Sequence, residues 1–394
     1  MNRKLRRTAL TLTVAFLLGL TTLYPFLLYT DNGFVKKWRN IYIETAMSTM
    51  SHQWLAEWFI PQAIIDDVLS SRYLSDEKQL DAETNWSTIT LNSNKPDSEE
   101  PGAEVNEAEA FFEKFYEIDR ATFESYADTH PELLENGYEG IDLDLCEDGE
   151  SDILTTEGDP ILAINAEHDI MIVGVRRSDW VGKMAVVKDS SRVHVGVSES
   201  IGSIGQNINV IAERYDAILA VNASGFQDPE GMGNGGVPYG FVKTYGEIKH
   251  RAEGHSNWKI VGYDEENRLQ IGKFKDTDFL RDAIEFHPSL IINGENMIEG
   301  TGGWGLNPRT FIGQKQDLTT LIVVIDGRQP GYSPFGAALN ECSELMQQYG
   351  AYQAQNLDGG SSSVMYYNGN VITKPSNLVK NGVGRKIPDV FMVT

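Results

Sequence analysis

The stretch LTTLIVVIDGRQPGYSPFGAALNECSELMQQYGAYQAQNLDGGSSS, residues 318–363, decides the fold. It opens with a β-branched apolar run that reads as a buried strand and stops at Asp326-Gly327. A helix follows: Pro334 suits its first turn, and Phe335, Leu339, Cys342, Met346 and Tyr349 recur at steps of four and three along one face. Gly350 is a stop, and YQAQNLD reads as a second strand. A crossover of that length within one sheet normally joins parallel strands, which end at the same edge. Asp326 and Asp358 are then expected together at a carboxyl rim, where sheets of this kind bind ligands. A hairpin turn at Asp358-Gly359 would account for that dipeptide but not for the pairing with Asp326. The expected class is α+β (mixed α/β): a mixed β-sheet domain with a parallel strand-helix-strand unit at residues 318–358.

Two further strand-like runs end in the same way, AILAVNASGF at Asn222 and PSLIINGE at Asn293-Gly294. Two carboxylates on one rim can act as general acid and base, or one as nucleophile. With the amide oxygens of Asn222, Asn293 and Asn356 they would also suit a divalent cation, so Asp326 and Asp358 are the candidate metal ligands, and no other cofactor is called for. Gly359 and Gly360 let a ligand approach the backbone, and Ser361 to Ser363 add hydroxyls. Arg309, Arg328 and Arg385 imply an anionic group on the substrate, and phosphate matches their forked geometry. His250 and His255 show no metal-ligand spacing.

The 394 residues can hold two domains and a full core. The net charge of −24 is regional, because residues 81–160 hold 24 acids against Lys95, Lys114 and Arg120. No basic face is visible, which argues against nucleic acid as a partner. Arg3, Lys4, Arg6 and Arg7 precede the uncharged run Ala9 to Tyr29, which as a helix spans about 30 Å. An uncleaved single-pass anchor is expected, with everything after Asp31 outside the cell membrane. Four regions follow: 1–30, cytoplasmic tip and transmembrane anchor; 31–74, an amphipathic helical segment with Trp54 and Trp58 one turn apart; 75–152, an acidic linker and helical region adding little to the core; and 153–394, the catalytic domain. Cys342 falls on the apolar face of its helix and is expected as a buried thiol; pairing with Cys146 is left open.

The segments GWGLNPRTFIG, VVIDGRQPGYSPFGAALNECSELMQQYGAYQAQNLDGGSSSVMYYNG and KPSN with GVGRKIPDVFMV resemble the phosphodiester glycosidase family. The resemblance is strong over residues 215–394 and weakens back to about 155. It implies hydrolysis of a sugar 1-phosphodiester such as one of N-acetylglucosamine, with a phosphorylated glycan or cell-surface polymer as partner and, for bacterial members, a link to exopolysaccharide or cell wall. Matching positions are Asn222, Gly225, Gly240, Asn293, Gly294, Arg309, Thr310, Asp326 to Arg328, Asn356 to Gly360, Ser362, Ser376 and Arg385. Two departures stand out: an extra residue in Asn222-Ala223-Ser224-Gly225, and Ser361 where glycine is common. On this basis Asp358 is expected to activate the attack, Arg309 to hold phosphate, and Asp326 to be partner or metal ligand. The alternative function is a non-catalytic, membrane-anchored glycan-binding or exopolysaccharide assembly protein, with Trp304 as an exposed aromatic.

Overall fold

The computed structural model describes residues 3–48, 52–87, 106–229, 233–252, 258–329, 331–376 and 382–394. The run Thr320–Ile325 lies mid-sheet, and its side chains alternate between two apolar clusters, Leu321, Val323 and Ile325 in one, Ile322 and Val324 in the other. Both faces are covered, so the run is apolar without a break. The sheet has nine strands, in the order Asp142–Asp144, Ile161–Asn165, Ile170–Arg176, Val181–Val187, Thr320–Ile325, Arg309–Gln314, Gln353–Asn356, Ser289–Ile292 and Glu295–Asn296. Helix Leu339–Gln348 packs on one face through Leu339, Cys342 and Met346. Two five-stranded sheets cover the other, contributing Val195, Val221 and Phe391 from one and Val242, Val261 and Tyr263 from the other.

Every strand pair among the described residues is antiparallel. The parallel unit expected at 318–358 is therefore corrected. Arg309–Gln314 lies between Thr320–Ile325 and Gln353–Asn356 and pairs antiparallel with both. The middle strand comes from chain that precedes the stretch, so the crossover passes over a strand already in place. The two outer strands still point the same way, because each opposes the one between them. Their carboxyl ends, and the start of the middle strand at Arg309, share one rim. The helix also begins later than its Pro334 signal, at Leu339, with the Glu341 carboxylate accepting from the Ala338 amide at 2.8 Å. Cys342 and Cys146 are both free and buried, in clusters on opposite faces of the sheet.

The acidic region is not a passive linker. Helices Glu107–Lys114 and Arg120–Thr129 bury Phe111, Phe115 and Phe123 in the same cluster as Leu339 and Met346, and Asp142–Asp144 forms the sheet edge. Among the described residues most of its acids stay exposed while its aromatic stripe points in, and the buried Glu117 is paired by Lys188 and Lys315. Residues 75–87 are docked as well: the Thr84 amide donates to Ile271 carbonyl at 3.0 Å, and Trp86 Nε1 to Leu269 carbonyl at 3.1 Å. Nearer the N-terminus, helices Gly33–Met47, Trp54–Glu57 and Gln62–Gln79 close on a small core of Ile43, Ala46, Ala56, Ile65 and Val68. The helix Thr11–Tyr29, 19 residues with mean hydropathy 1.8, is long and apolar enough to cross a membrane.

Candidate active site

The rim is assembled around Asn222, the last residue of strand Leu219–Asn222 in a five-stranded sheet. Its Nδ2 donates to Asp358 carbonyl at 2.6 Å, and its Oδ1 accepts from Thr310 Oγ1 at 2.7 Å and from the Val364 amide at 3.1 Å. Asn222 and Thr310 are fully buried, so both serve as a clamp that sets the Asn356-to-Gly360 turn. The Asp358 amide donates to Ala223 carbonyl at 3.0 Å and the Gly360 amide to Pro308 carbonyl at 2.9 Å. A Cβ at Gly359 would meet that same carbonyl at 2.8 Å, and Gly360 has φ +64°, so the turn needs both glycines. Asn356 Nδ2 donates to His287 carbonyl at 2.9 Å, and its Oδ1 has no hydrogen-bond partner among the described residues. Gly225 lies against the Phe286 ring.

Asp358 is half-buried at this turn. Burial pushes its carboxyl up to about 6, while the Ser362 hydroxyl, Arg385 and the Gly359 amide pull the other way. Arg385 itself pairs with Asp228 at 2.7 Å, and that pair stands close enough to be felt at Asp358. Asp326 follows the other outer strand, two strand spacings away, or about 10 Å. It is 3% exposed, and burial pushes its carboxyl up to about 7 against the Lys374 amide at 2.9 Å, the charges of Lys183 and Lys374, and Tyr332. The two carboxylates have separate sets of partners. Among the described residues no group of three His, Cys, Asp or Glu converges as metal ligands, so the arrangement lends the cation reading no ligand set.

The arginines divide by role. Arg328 has φ +59° and donates to Ser361 Oγ at 3.1 Å and to Asn307 Oδ1 at 3.0 Å, so it braces the serine turn. Arg309 is 6% exposed and donates to three backbone carbonyls, those of Ala337, Trp304 and Gly305. Those bonds place it under the rim as a support for the 304–308 loop. Ser376 is buried, and its hydroxyl has no partner among the described residues. One pair falls elsewhere: Asn293 (φ +54°) and Gly294 (φ +80°) form the hairpin between Ser289–Ile292 and Glu295–Asn296. Because Ser289–Ile292 runs antiparallel to Gln353–Asn356, this turn lies at the opposite edge, beside Gln353 and Asn85. An Asn-Gly dipeptide with both φ positive is hairpin chemistry, which corrects its assignment to the site.

Residues not singled out from sequence complete the rim. Asp389 is fully buried; its Oδ1 accepts from the Ser224 amide at 2.7 Å, and its Oδ2 has no partner among the described residues. Burial pushes its carboxyl up to about 7, with the Asp358 charge adding to the rise. Beyond Asn356, the rings of Trp258 and His287 stack at 5.0 Å, His287 meets Trp304 at 5.0 Å, and Arg72 sits 3.8 Å over Trp304. Nothing in the spacing of Asp389 or Trp258 sets them apart from strand residues; only the meeting of distant strands does.

Residues 215–394, which hold all of the clamp and both aspartates, match the family model described as phosphodiester glycosidase. The likeness to a phosphodiester glycosidase domain thus covers the C-terminal part of this chain. Among curated relatives, the SPbeta prophage-derived uncharacterized protein YomE of Bacillus subtilis (strain 168) is 27% identical over 199 residues, covering 47% of this chain and 29% of that protein. The match thus spans under a third of the curated relative's length. The catalytic domain of zebrafish N-acetylglucosamine-1-phosphodiester alpha-N-acetylglucosaminidase, solved in a form auto-inhibited by its pro-peptide, is similar over 57% of this chain and 81% of its own, at 18% identity and TM-score 0.47. A hypothetical protein from Synechocystis is similar over 61% and 65%, at 13% identity and TM-score 0.43.

Proposed function

We propose that the protein is a membrane-anchored hydrolase, with its body outside the cell membrane, that cleaves a sugar 1-phosphodiester within a phosphorylated glycan or cell-wall polymer. The observation that carries this reading is the pair of carboxylates on one rim, raised to about 6 and about 7, with Arg385 beside one of them. A phosphomonoester leaves more readily than a sugar alkoxide, so the departing group needs charge stabilisation more than a strong acid. Asp358, ionised above about 6, takes the proton of the attacking water or attacks the anomeric carbon itself; Asp326 remains protonated longer and faces the leaving side. Arg385 and Arg328 hold the phosphate, and the Trp258, His287 and Trp304 rings offer a wall for the sugar.

The test is release of free sugar from N-acetylglucosamine 1-phosphodiesters by the full chain, because residues 106–152 belong to its core. Solvent labelled with oxygen-18 separates the chemistry: label in the sugar is glycosidic cleavage, and label in phosphate is attack at phosphorus and overturns the reading. The aromatic wall favours a second reading, non-catalytic glycan binding. It requires that Asp358→Asn bind the glycan as well as the parent and that neither release sugar.

A further inference from the structure

The N-terminal helices tie the apolar segment to the rim. Leu28, near the end of Thr11–Tyr29, is buried with Ile43, Ala46, Ala56 and Ile60. The Arg39 guanidinium donates to Leu28 carbonyl, and the Tyr24 hydroxyl donates to Phe59 carbonyl. Tyr24 lies five residues before the end of the apolar segment, about 7 Å along its axis. Phe59, with helix Trp54–Glu57 leading into it, is thereby held beside the outer part of that segment. What they present to the surroundings is aromatic: Trp58 is 75% exposed, Phe59 54%, Trp54 41%, Phe34 73% and Trp38 41%. Lys36 and Lys37, both exposed, stand beside Phe34 and Trp38. Large rings with basic neighbours at the end of a spanning segment are the composition of a lipid headgroup boundary.

Helix Gly33–Met47 carries Phe34 and Trp38 of this collar at one end and reaches the rim at the other, with helix Trp54–Glu57 alongside it: the Tyr42 hydroxyl donates to Leu55 carbonyl at 2.8 Å and Gln53 Nε2 to Met47 carbonyl at 3.4 Å. The Glu44 carboxylate accepts from Thr301 Oγ1 at 2.6 Å, Thr45 Oγ1 from the Leu306 amide at 3.3 Å, and Ser48 Oγ from Asn307 Nδ2 at 3.4 Å. Asn307 in turn holds Arg328, which holds Ser361 in the catalytic turn. From Gly33 to Thr45 the helix covers about 18 Å.

We infer that Phe34, Trp38, Trp54, Trp58 and Phe59 lie in the outer lipid interface and fix the Asp326 and Asp358 rim within roughly 20 Å of it, so that the substrate is a sugar phosphodiester displayed on the membrane by a lipid-anchored chain. The substrate half rests on the hydrolase reading above; the collar does not. A rim held at fixed height meets a surface-bound substrate at high effective concentration and a dissolved one at bulk concentration.

The full chain is reconstituted in vesicles of phosphatidylcholine and phosphatidylglycerol brominated either near the ester end or near the methyl end of the acyl chains. Shallow bromines are expected to quench tryptophan fluorescence more than deep ones, and Trp54→Phe with Trp58→Phe to remove most of that quenching. Equal quenching before and after substitution overturns the collar. The same vesicles then carry an N-acetylglucosamine 1-phosphodiester on a lipid tail, beside a water-soluble one. Trp54→Ser, Trp58→Ser and Phe59→Ser together are expected to slow release from the tailed substrate on the order of 10-fold and to leave the soluble rate unchanged, which also reports an intact fold. Equal loss on both substrates, or loss on neither, overturns the membrane-displayed substrate. Release from neither by the parent protein overturns the hydrolase reading and the substrate half with it, while the bromine result still decides the collar.

Discussion

The two edges of the nine-stranded sheet bury charge in opposite ways. At the far edge, Glu117 is 4% exposed and bonded by Lys188 at 2.9 Å and Lys315 at 2.7 Å, with the Tyr116 ring under both ammonium groups. Asp317 beside it would be raised by burial, but the Tyr116 hydroxyl at 2.5 Å, the Thr319 amide and Lys188 hold it below the ordinary carboxylate range. At the near edge, Asp326, Asp358 and Asp389 are all raised, and Asp389 Oδ2 lacks a partner among the described residues. An open cavity of about 610 Å³, lined by Tyr116, Lys315, Asp317, Tyr349 and Tyr352, belongs to the satisfied edge. An open cavity and carboxyls poised to exchange protons are thus separate properties, and the second is the one the proposed chemistry needs.

The contrast is sharpest under substitution. Asp358→Asn is expected to lower turnover on the order of 100-fold or more, since it keeps the turn and removes the charge; Asp326→Asn should act similarly, and the double variant should cost far less than the product. Steady-state kinetics on folded protein decide it, and full activity in Asp358→Asn returns the turn to a structural role. Lys188→Met at the other edge should do the reverse, leaving kcat/KM unchanged while costing about 3 kcal/mol in denaturant unfolding, because Glu117 stays buried with half its partners. A drop in kcat/KM there would erase the distinction between the edges.

Further effects follow from pH. As Asp358 ionises, kcat/KM should rise through about 6, and as Asp326 loses its proton it should fall above about 7; a profile flat from 5 to 8 breaks the acid and base assignment. Asp389 is raised from 3.8 to about 7, so its favourable contribution to stability is complete below 3.8 and is lost as pH rises through 7. Asp389→Asn should therefore gain on the order of 4 kcal/mol at pH 8 and nothing near pH 3, measured by thermal unfolding at both.

Much of the rim was legible in residues 318–363 because a strand's end can be read locally: an apolar run, then Asp-Gly. Which strands are neighbours cannot be read that way. Arg309–Gln314 enters between the two outer strands from outside the stretch, and this alone turned an expected parallel pair into two antiparallel ones. Asn293-Gly294 carried the same local signal as Asp358-Gly359, and only direction within the sheet distinguishes them. The acidic region misled through composition, since 24 acids hide the spacing of Phe111 and Phe115, one turn apart and both buried. Asp389 was invisible because its partner, the Ser224 amide, lies 165 residues away.

The Asn222 clamp also sets when the site can exist. Its three bonds join residues 88, 136 and 142 positions apart in sequence, and strand Asp389–Val393 closes beside it. Contacts of such separation form late, after the loops between them have been closed. Since strand Asp389–Val393 follows every other part of the clamp in the chain, a growing chain has no rim until that strand has been made and the domain has condensed. The rim is therefore a property of the condensed domain, and fragments that retain the NLDGG turn but lack strand Asp389–Val393 are expected to have none.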